Sequence, residues 1–191
     1  DDVQHLWEKS DFEEVAYLVL HGELPVKKQL KKFIKEERSN RRLSKTIIKN
    51  IEKMPKNAHP MDVVRTCVSL MALEDRDTKD NSPKANMRKA IRIFSKTPIA
   101  LAAFFRARKG KKIINPKRNL SFSENFFYMC FGKIPNKDII KAFDVSLILY
   151  AEHSFNVSTF TARTITSSLS DIHSAITGAI GSLKGPLHGG A

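Results

Sequence analysis

The chain has 191 residues, 41% of them hydrophobic, with eight glycines and eight prolines. That length suits one domain or one large piece of one, and the composition excludes a disordered chain. Lys and Arg number 33 against 20 Asp and Glu, a net charge of +13, so a nucleic-acid or anionic-surface partner has to be weighed.

The basic residues are spread along the chain rather than gathered. The densest stretches, 27–35 and 106–118, are interleaved with core-type positions or lie in a loop. Stacking aromatic motifs, GXXG loops and Cys/His fingers are absent, so the charge reads as a solvated Lys-rich surface. Such a surface also suits an anionic substrate or a phosphate-bearing molecule such as coenzyme A. No run of eighteen apolar residues occurs, so no membrane span is expected. Cys67 and Cys130 each sit in an apolar helical pattern and read as small buried hydrophobes in a reducing compartment. No signal peptide is visible at the acidic start Asp1-Asp2, where an initiator methionine is also lacking.

In chain order the pattern is helical almost throughout. Phe12, Val15, Ala16, Val19 and Leu20 share one helical face, with Asp11 and Glu14 as a capping box and Gly22 as a stop. Pro25 suits the first turn of a second helix carrying Leu30, Phe33 and Ile34. Ser44 opens a third helix with the stripe Ile47, Ile48, Ile51 and Met54, ended by Pro55. His59-Pro60 starts a fourth, buried along Val64, Cys67, Val68 and Met71, with Arg65 among them expected to be buried against a carboxylate. Residues 74–83 read as a loop. Residues 84–107 are helical but expected to break or kink at Thr97-Pro98.

A basic loop follows over 109–119. Ser123 and Glu124 are expected to open a short helix through Phe126, Phe127, Met129 and Cys130, with Gly132 as its stop. Residues 136–152 form a strongly apolar helix. Residues 158–168 are dense in Thr and Ser, and Asp171 caps a last helix through Ala175, Ile176, Ala179 and Ile180. Its small residues allow close helix approach, so the final helices are expected to be central to the packing. Strand patterns are nearly absent. The fold class is all-α.

The polar groups that stand out lie near the end of the chain. His153 closes an apolar helix in Tyr150-Ala151-Glu152-His153-Ser154-Phe155-Asn156. His188 stands in Gly185-Pro186-Leu187-His188-Gly189-Gly190-Ala191. Glycine lets backbone approach a ligand closely, and proline fixes the bend. An imidazole presented there can polarise a carbonyl, bind an anion or move a proton near neutral pH. A segment so poor in side chains is expected to continue rather than to end a folded protein. Metal-ligand spacings, a G-x-S-x-G elbow, a P-loop and a dinucleotide fingerprint are all missing.

Four blocks make the chain resemble the citrate synthase family, and within it the 2-methylcitrate synthases most. The first is Phe12-Glu13-Glu14-Val15-Ala16-Tyr17-Leu18 with Gly22-Glu23-Leu24-Pro25. The second is His59-Pro60-Met61-Asp62-Val63-Val64-Arg65-Thr66. The third runs from Leu147 to Arg163, through Tyr150-Ala151-Glu152-His153-Ser154-Phe155-Asn156-Val157-Ser158. The fourth is Asp171-Ile172-His173-Ser174-Ala175 with Gly178 through Ala191.

The resemblance implies a multi-helical large domain, with 1–191 as part of it. The small domain and the remaining C-terminal helices would lie outside the segment. It implies an acyltransferase that enolises an acyl-CoA, condenses it with oxaloacetate and hydrolyses the thioester to release CoA. His188 matches the histidine that donates to the thioester carbonyl oxygen, and His153 matches an oxaloacetate ligand. Asn156 matches a position beside that site, and Gly189 belongs to the glycine backbone next to the substrate. The proton-abstracting aspartate, a further histidine and arginines lie further along in family members, so the 191-residue segment alone is expected to lack synthase activity. No permanently bound cofactor and no metal are expected, with acyl-CoA as co-substrate. A cytoplasmic homodimer without nucleic-acid or membrane partners completes the expectation.

Tyr150 bears on the acyl group. Many citrate synthases carry histidine there and many 2-methylcitrate synthases tyrosine. A side chain that shapes an acyl pocket discriminates one methylene by only about 1–3 kcal/mol, so both propionyl-CoA and acetyl-CoA are expected as substrates, with 2-methylcitrate formation in propionate metabolism favoured. Leu187 pulls toward citrate synthase proper, the alternative, acting on acetyl-CoA in the tricarboxylic acid cycle. A basic helical nucleic-acid-binding protein is the distant alternative. It leaves the histidine-bearing glycine segment without a role.

Overall fold

The computed structural model describes residues 3–151 and 155–188. Among them there are ten α-helices, no strand and one short 3-10 turn. The helices are α1 (Val3–Lys9), α2 (Phe12–His21), α3 (Lys27–Ser39), α4 (Lys45–Lys53), α5 (Pro60–Glu74), α6 (Pro83–Ala107), α7 (Phe122–Phe131), α8 (Lys137–Tyr150), α9 (Val157–Ser167) and α10 (Ile172–Leu183). The 3-10 turn is Pro186–His188.

Local rules account for most helix ends. Asp11 and Glu14 form the expected capping box at α2, and Gly22 ends it at φ 82°. Gly132 ends α7 likewise at φ 78°. Three expectations shift. α3 begins after Val26, because the Gln29 carboxamide accepts from the Val26 N–H at 2.7 Å, which leaves Pro25 outside the helix. Ser121, not Ser123, caps α7 with Glu124. Ser123 is instead buried and donates to Asp144 at 2.6 Å. A short α1, unmarked by the apolar pattern, buries Leu6.

Residues 83–107 form the single helix α6 with Pro98 inside it, which corrects the expected break into two helices. Ile99, Ala100, Ala102, Ala103 and Phe104, all beyond the proline, are buried in the core shared with α4, α5 and α7. That burial outweighs the single amide hydrogen bond the proline lacks. The N-terminal half of α6 joins two further clusters. Phe94 borders both the group of Leu6, Phe12, Val15 and Ile148 and the group of Ala16, Tyr17, Phe33 and Ile91. α6 is therefore the spine of the molecule. Cys67 and Cys130 are buried and unbridged, and burial pushes both thiols up to about 11.

Two buried carboxylates tie helices across the fold by capping orphan N–H groups. Asp144 of α8 accepts from the Phe12 N–H of α2 at 3.0 Å. Glu13 of α2 accepts from the Phe122 N–H of α7 at 2.8 Å. Removal from water pushes the Glu13 carboxyl up from 4.5 to about 7, helped by the negative charges of Asp11 and Asp144. Arg38 stands 3.8 Å away, too far to offset the desolvation.

α9 and α10 differ from expectation. Thr161, Thr164 and Thr166 return their hydroxyls to carbonyls four residues back, so a Thr-rich stretch still forms a helix. α10 packs on α9 and α5. Gly178 lies against Ile165, so these two helices do approach closely. They are nevertheless peripheral among the described residues: α9 buries no residue, and α10 buries only His173 and Ala175. On α9 Phe160 is 71% exposed, and Leu169 in the loop to α10 is 84% exposed.

The raised Glu13 carboxyl makes stability pH-dependent. Its folded-state pKa exceeds the unfolded value, so its contribution is fully present below about pH 4.5 and lost as pH rises through about 7. Glu13→Gln keeps the acceptor for Phe122 without the charge. Urea unfolding is expected to show the variant gaining on the native protein between pH 4.5 and 8, by at most about 3 kcal/mol. An equal stability difference at both pH values would refute the assignment.

Candidate functional site

The site is built where the start of α9, the end of α10 and the first turn of α5 come together. At α9 the N-cap residue Asn156 makes no side-chain bond to the helix amides. Its Oδ1 instead accepts the Ser158 hydroxyl at 2.6 Å. The Ser158 backbone N–H, an orphan donor of the first turn, points at His188 Nε2 at 3.1 Å. The Ser158 hydroxyl oxygen is also 3.1 Å from that nitrogen.

A backbone N–H can only donate, so Nε2 accepts. A neutral imidazole accepting at Nε2 carries its single proton on Nδ1. The ring is thereby prepared as an Nδ1–H donor, which is the form that polarises a carbonyl without giving up a full proton. The partly buried ring sits on the 3-10 turn, which closes through the His188 N–H to the Gly185 carbonyl at 2.8 Å.

α10 carries that turn and is anchored at both ends. At its start Asp171 caps the His173 and Ser174 amides. The buried His173 ring lies between Asp171, 3.4 Å away, and Asp75, 3.5 Å away. Burial holds the His173 imidazole below its usual range, against the pull of those two carboxylates. Asp75 is in turn gripped by Arg92 at 2.6 Å. At the other end Lys184 donates to Asp62 Oδ2 at 2.6 Å, and Arg65 donates to Asp62 Oδ1 at 3.0 Å. The Lys184 ammonium, with Arg65 behind it, holds the Asp62 carboxyl below the usual carboxylate range. Arg65 is thus paired as expected but not buried: its side chain is 43% exposed because it lies over the glycine face of α10 at Gly181.

Of the residues singled out in the sequence, the structure brings Asn156 and His188 together through Ser158. Tyr150 ends α8 with 84% exposure, and among the described residues no hydrogen bond joins it to that cluster. His153 and Gly189 lie outside the described residues. Ser158, Asp62, Lys184 and His173 were not singled out. A backbone donor leaves no mark in a sequence, and 122 positions separate Asp62 from Lys184. Among the described residues no three His, Cys, Asp or Glu side chains group as metal ligands, and no helix is long and apolar enough to cross a membrane.

Comparison with known proteins decides the family. The model of the citrate synthase C-terminal domain matches residues 1–191. The chain belongs to the citrate synthase family. It is 48% identical over 189 residues to a citrate synthase of Mycolicibacterium smegmatis, covering 99% of this chain and 50% of that protein. It is equally 48% identical to a 2-methylcitrate synthase of Mycobacterium tuberculosis H37Rv, covering 99% of this chain and 48% of that one. The ternary complex of a Thermoplasma acidophilum citrate synthase with carboxymethyl coenzyme A and oxaloacetate superposes with a TM-score of 0.91 at 28% identity, over 98% of this chain and 49% of the other. The chain spans about half the length of these relatives.

The tautomer assignment predicts unequal effects at one position. Ser158→Ala keeps the N–H and is expected to leave His188 in the Nδ1–H form. Ser158→Pro deletes the N–H and is expected to release Nε2 from its acceptor role, so that the other tautomer becomes populated. Nitrogen NMR of histidine-labelled protein reads the two forms directly; indistinguishable His188 spectra for both variants would contradict the assignment.

Proposed function

We propose that the protein condenses an acyl-CoA with oxaloacetate and releases CoA, as a member of this family acting on propionyl-CoA and on acetyl-CoA. The observation that carries this reading is the 3.1 Å contact from the Ser158 N–H to His188 Nε2. It leaves Nδ1–H as a fixed donor. In the reaction this donor meets the thioester carbonyl oxygen while a base takes a proton from the acyl α-carbon. The electron pair moves onto the oxygen, giving an enolate that the imidazole N–H stabilises by a hydrogen bond. The enolate carbon then attacks the ketone carbon of oxaloacetate, the ketone oxygen takes up a proton, and water cleaves the thioester, giving 2-methylcitrate or citrate and free CoA. His188 thus serves as the polarising donor, with Asn156 and His153 assigned to oxaloacetate and the Gly189 backbone to the substrate's flank. The base comes from elsewhere in the complete enzyme.

Tyr150 is the residue assigned to the acyl pocket. Its identity supports propionyl-CoA. Citrate formation from acetyl-CoA remains the second reading, favoured by the citrate synthase of equal identity. The same proposal carries a homodimer, to which the exposed Leu73, Phe160 and Leu169 offer apolar surface. It also carries a cytoplasmic setting, which suits the two buried free thiols. The basic surface then faces anionic substrates rather than nucleic acid.

The test is CoA release by the full gene product from oxaloacetate with each thioester. Activity with propionyl-CoA is expected at a kcat/KM at least equal to that with acetyl-CoA. His188→Gln is expected to lower kcat by about 10²–10³. A strong acetyl preference would transfer the enzyme to the second reading, and no CoA release with either thioester would end the proposal.

A further inference from the structure

We propose that Asp62 and Lys184 act as a positioning pair that sets the angle at which His188 presents its Nδ1–H; the catalytic consequence rests on the reading of His188 given above. Three residues separate Lys184 from His188, and they form a tight turn. Among the described residues of that turn Pro186 and Leu187 are exposed, Leu187 fully so. Polar contacts at its two ends help to place it. One is the α9 amide on the His188 ring. The other is the Lys184 ammonium on Asp62, at 2.6 Å.

The second anchor is stiff for a partly exposed pair. Asp62 sits in the first turn of α5, where its own N–H bonds the His59 carbonyl at 3.0 Å and its carbonyl accepts the Thr66 hydroxyl at 2.8 Å. Both carboxylate oxygens are used, Oδ2 by Lys184 and Oδ1 by Arg65, so the carboxylate cannot rotate without losing a partner. Arg65 is held in turn against α10, its guanidinium 3.4 Å from where a side chain on Gly181 would begin. Small displacements matter here, because a donor must meet the carbonyl oxygen at hydrogen-bond length and in line. An ion pair of this exposure contributes little to global stability, so its role should show in orientation rather than in folding.

In the full gene product, Lys184→Met and Asp62→Asn are each expected to lower kcat about tenfold or more. KM for oxaloacetate and Tm should stay near the native values. The double variant should lose no more than either single one, because both remove the same contact. Lys184→Arg restores a charged donor and should recover most of kcat. A readout independent of turnover is the nitrogen NMR signal of His188, expected as one Nδ1–H form in the native protein and as a tautomer mixture in Lys184→Met. Native kcat with an unchanged His188 signal in Lys184→Met would overturn the proposal. So would a kcat loss that Lys184→Arg shares and that tracks a fall in Tm. Should the unsubstituted enzyme fail to condense any acyl-CoA, the functional reading falls, and the His188 signal alone decides the positioning role.

Discussion

The orphan amide at the start of α9 is the constraint around which the site is organised. Every α-helix begins with N–H groups that have no partner within the helix, and one of them must be satisfied at Ser158. His188 satisfies it through Nε2 at 3.1 Å. That one bond chooses the tautomer, places the proton on the opposite nitrogen and turns a flexible side chain into a directed donor. The same device recurs at α5, where His59 Nδ1 accepts the Met61 N–H at 3.2 Å. There it only starts a helix. At α9 the histidine comes from a remote turn, so capping the helix also assembles the site.

The rest of the fold keeps α5, α9 and α10 in place for that bond. α6 spans the three apolar clusters and gives α5 its buried partner face. α10 lies on α5 and α9, brought close to α9 by Gly178 and rooted at its start through His173, Asp75 and Arg92. These polar anchors are needed because α9 buries no side chain of its own among the described residues. A few of the basic side chains are likewise held in ion pairs. Arg41 is buried against Glu37 at 2.7 Å, and Arg88 and Arg92 hold Asp75 and Asp77.

Where information is local, the sequence was legible. The capping box at Asp11 and Glu14, the left-handed stops at Gly22 and Gly132 and the apolar stripes of α4 and α5 follow from helical period and cap chemistry. Pro98 misled because its local cost is outweighed by tertiary burial of Ile99 to Phe104, which no helix rule includes. Ser123 misled because its hydroxyl serves Asp144 across the fold. At the candidate site, His188 stands out in the sequence by its glycine setting, and the role proposed for it is the one the resemblance implies. Ser158 was not, since the group that matters is a backbone N–H. Lys184 and Asp62 look like ordinary surface charges until the chain brings them together.

The central claim is that His188 is held as an Nδ1–H donor aimed at an acyl carbonyl. A crystal structure of the full gene product with oxaloacetate and carboxymethyl coenzyme A, whose carboxylate stands in for the enolised thioester, tests it most directly. The predicted result has Nδ1 within about 3 Å of that carboxylate while Nε2 keeps its contact with the Ser158 amide. A ring turned over, with Nε2 on the ligand and the Ser158 amide bonded elsewhere, would contradict it.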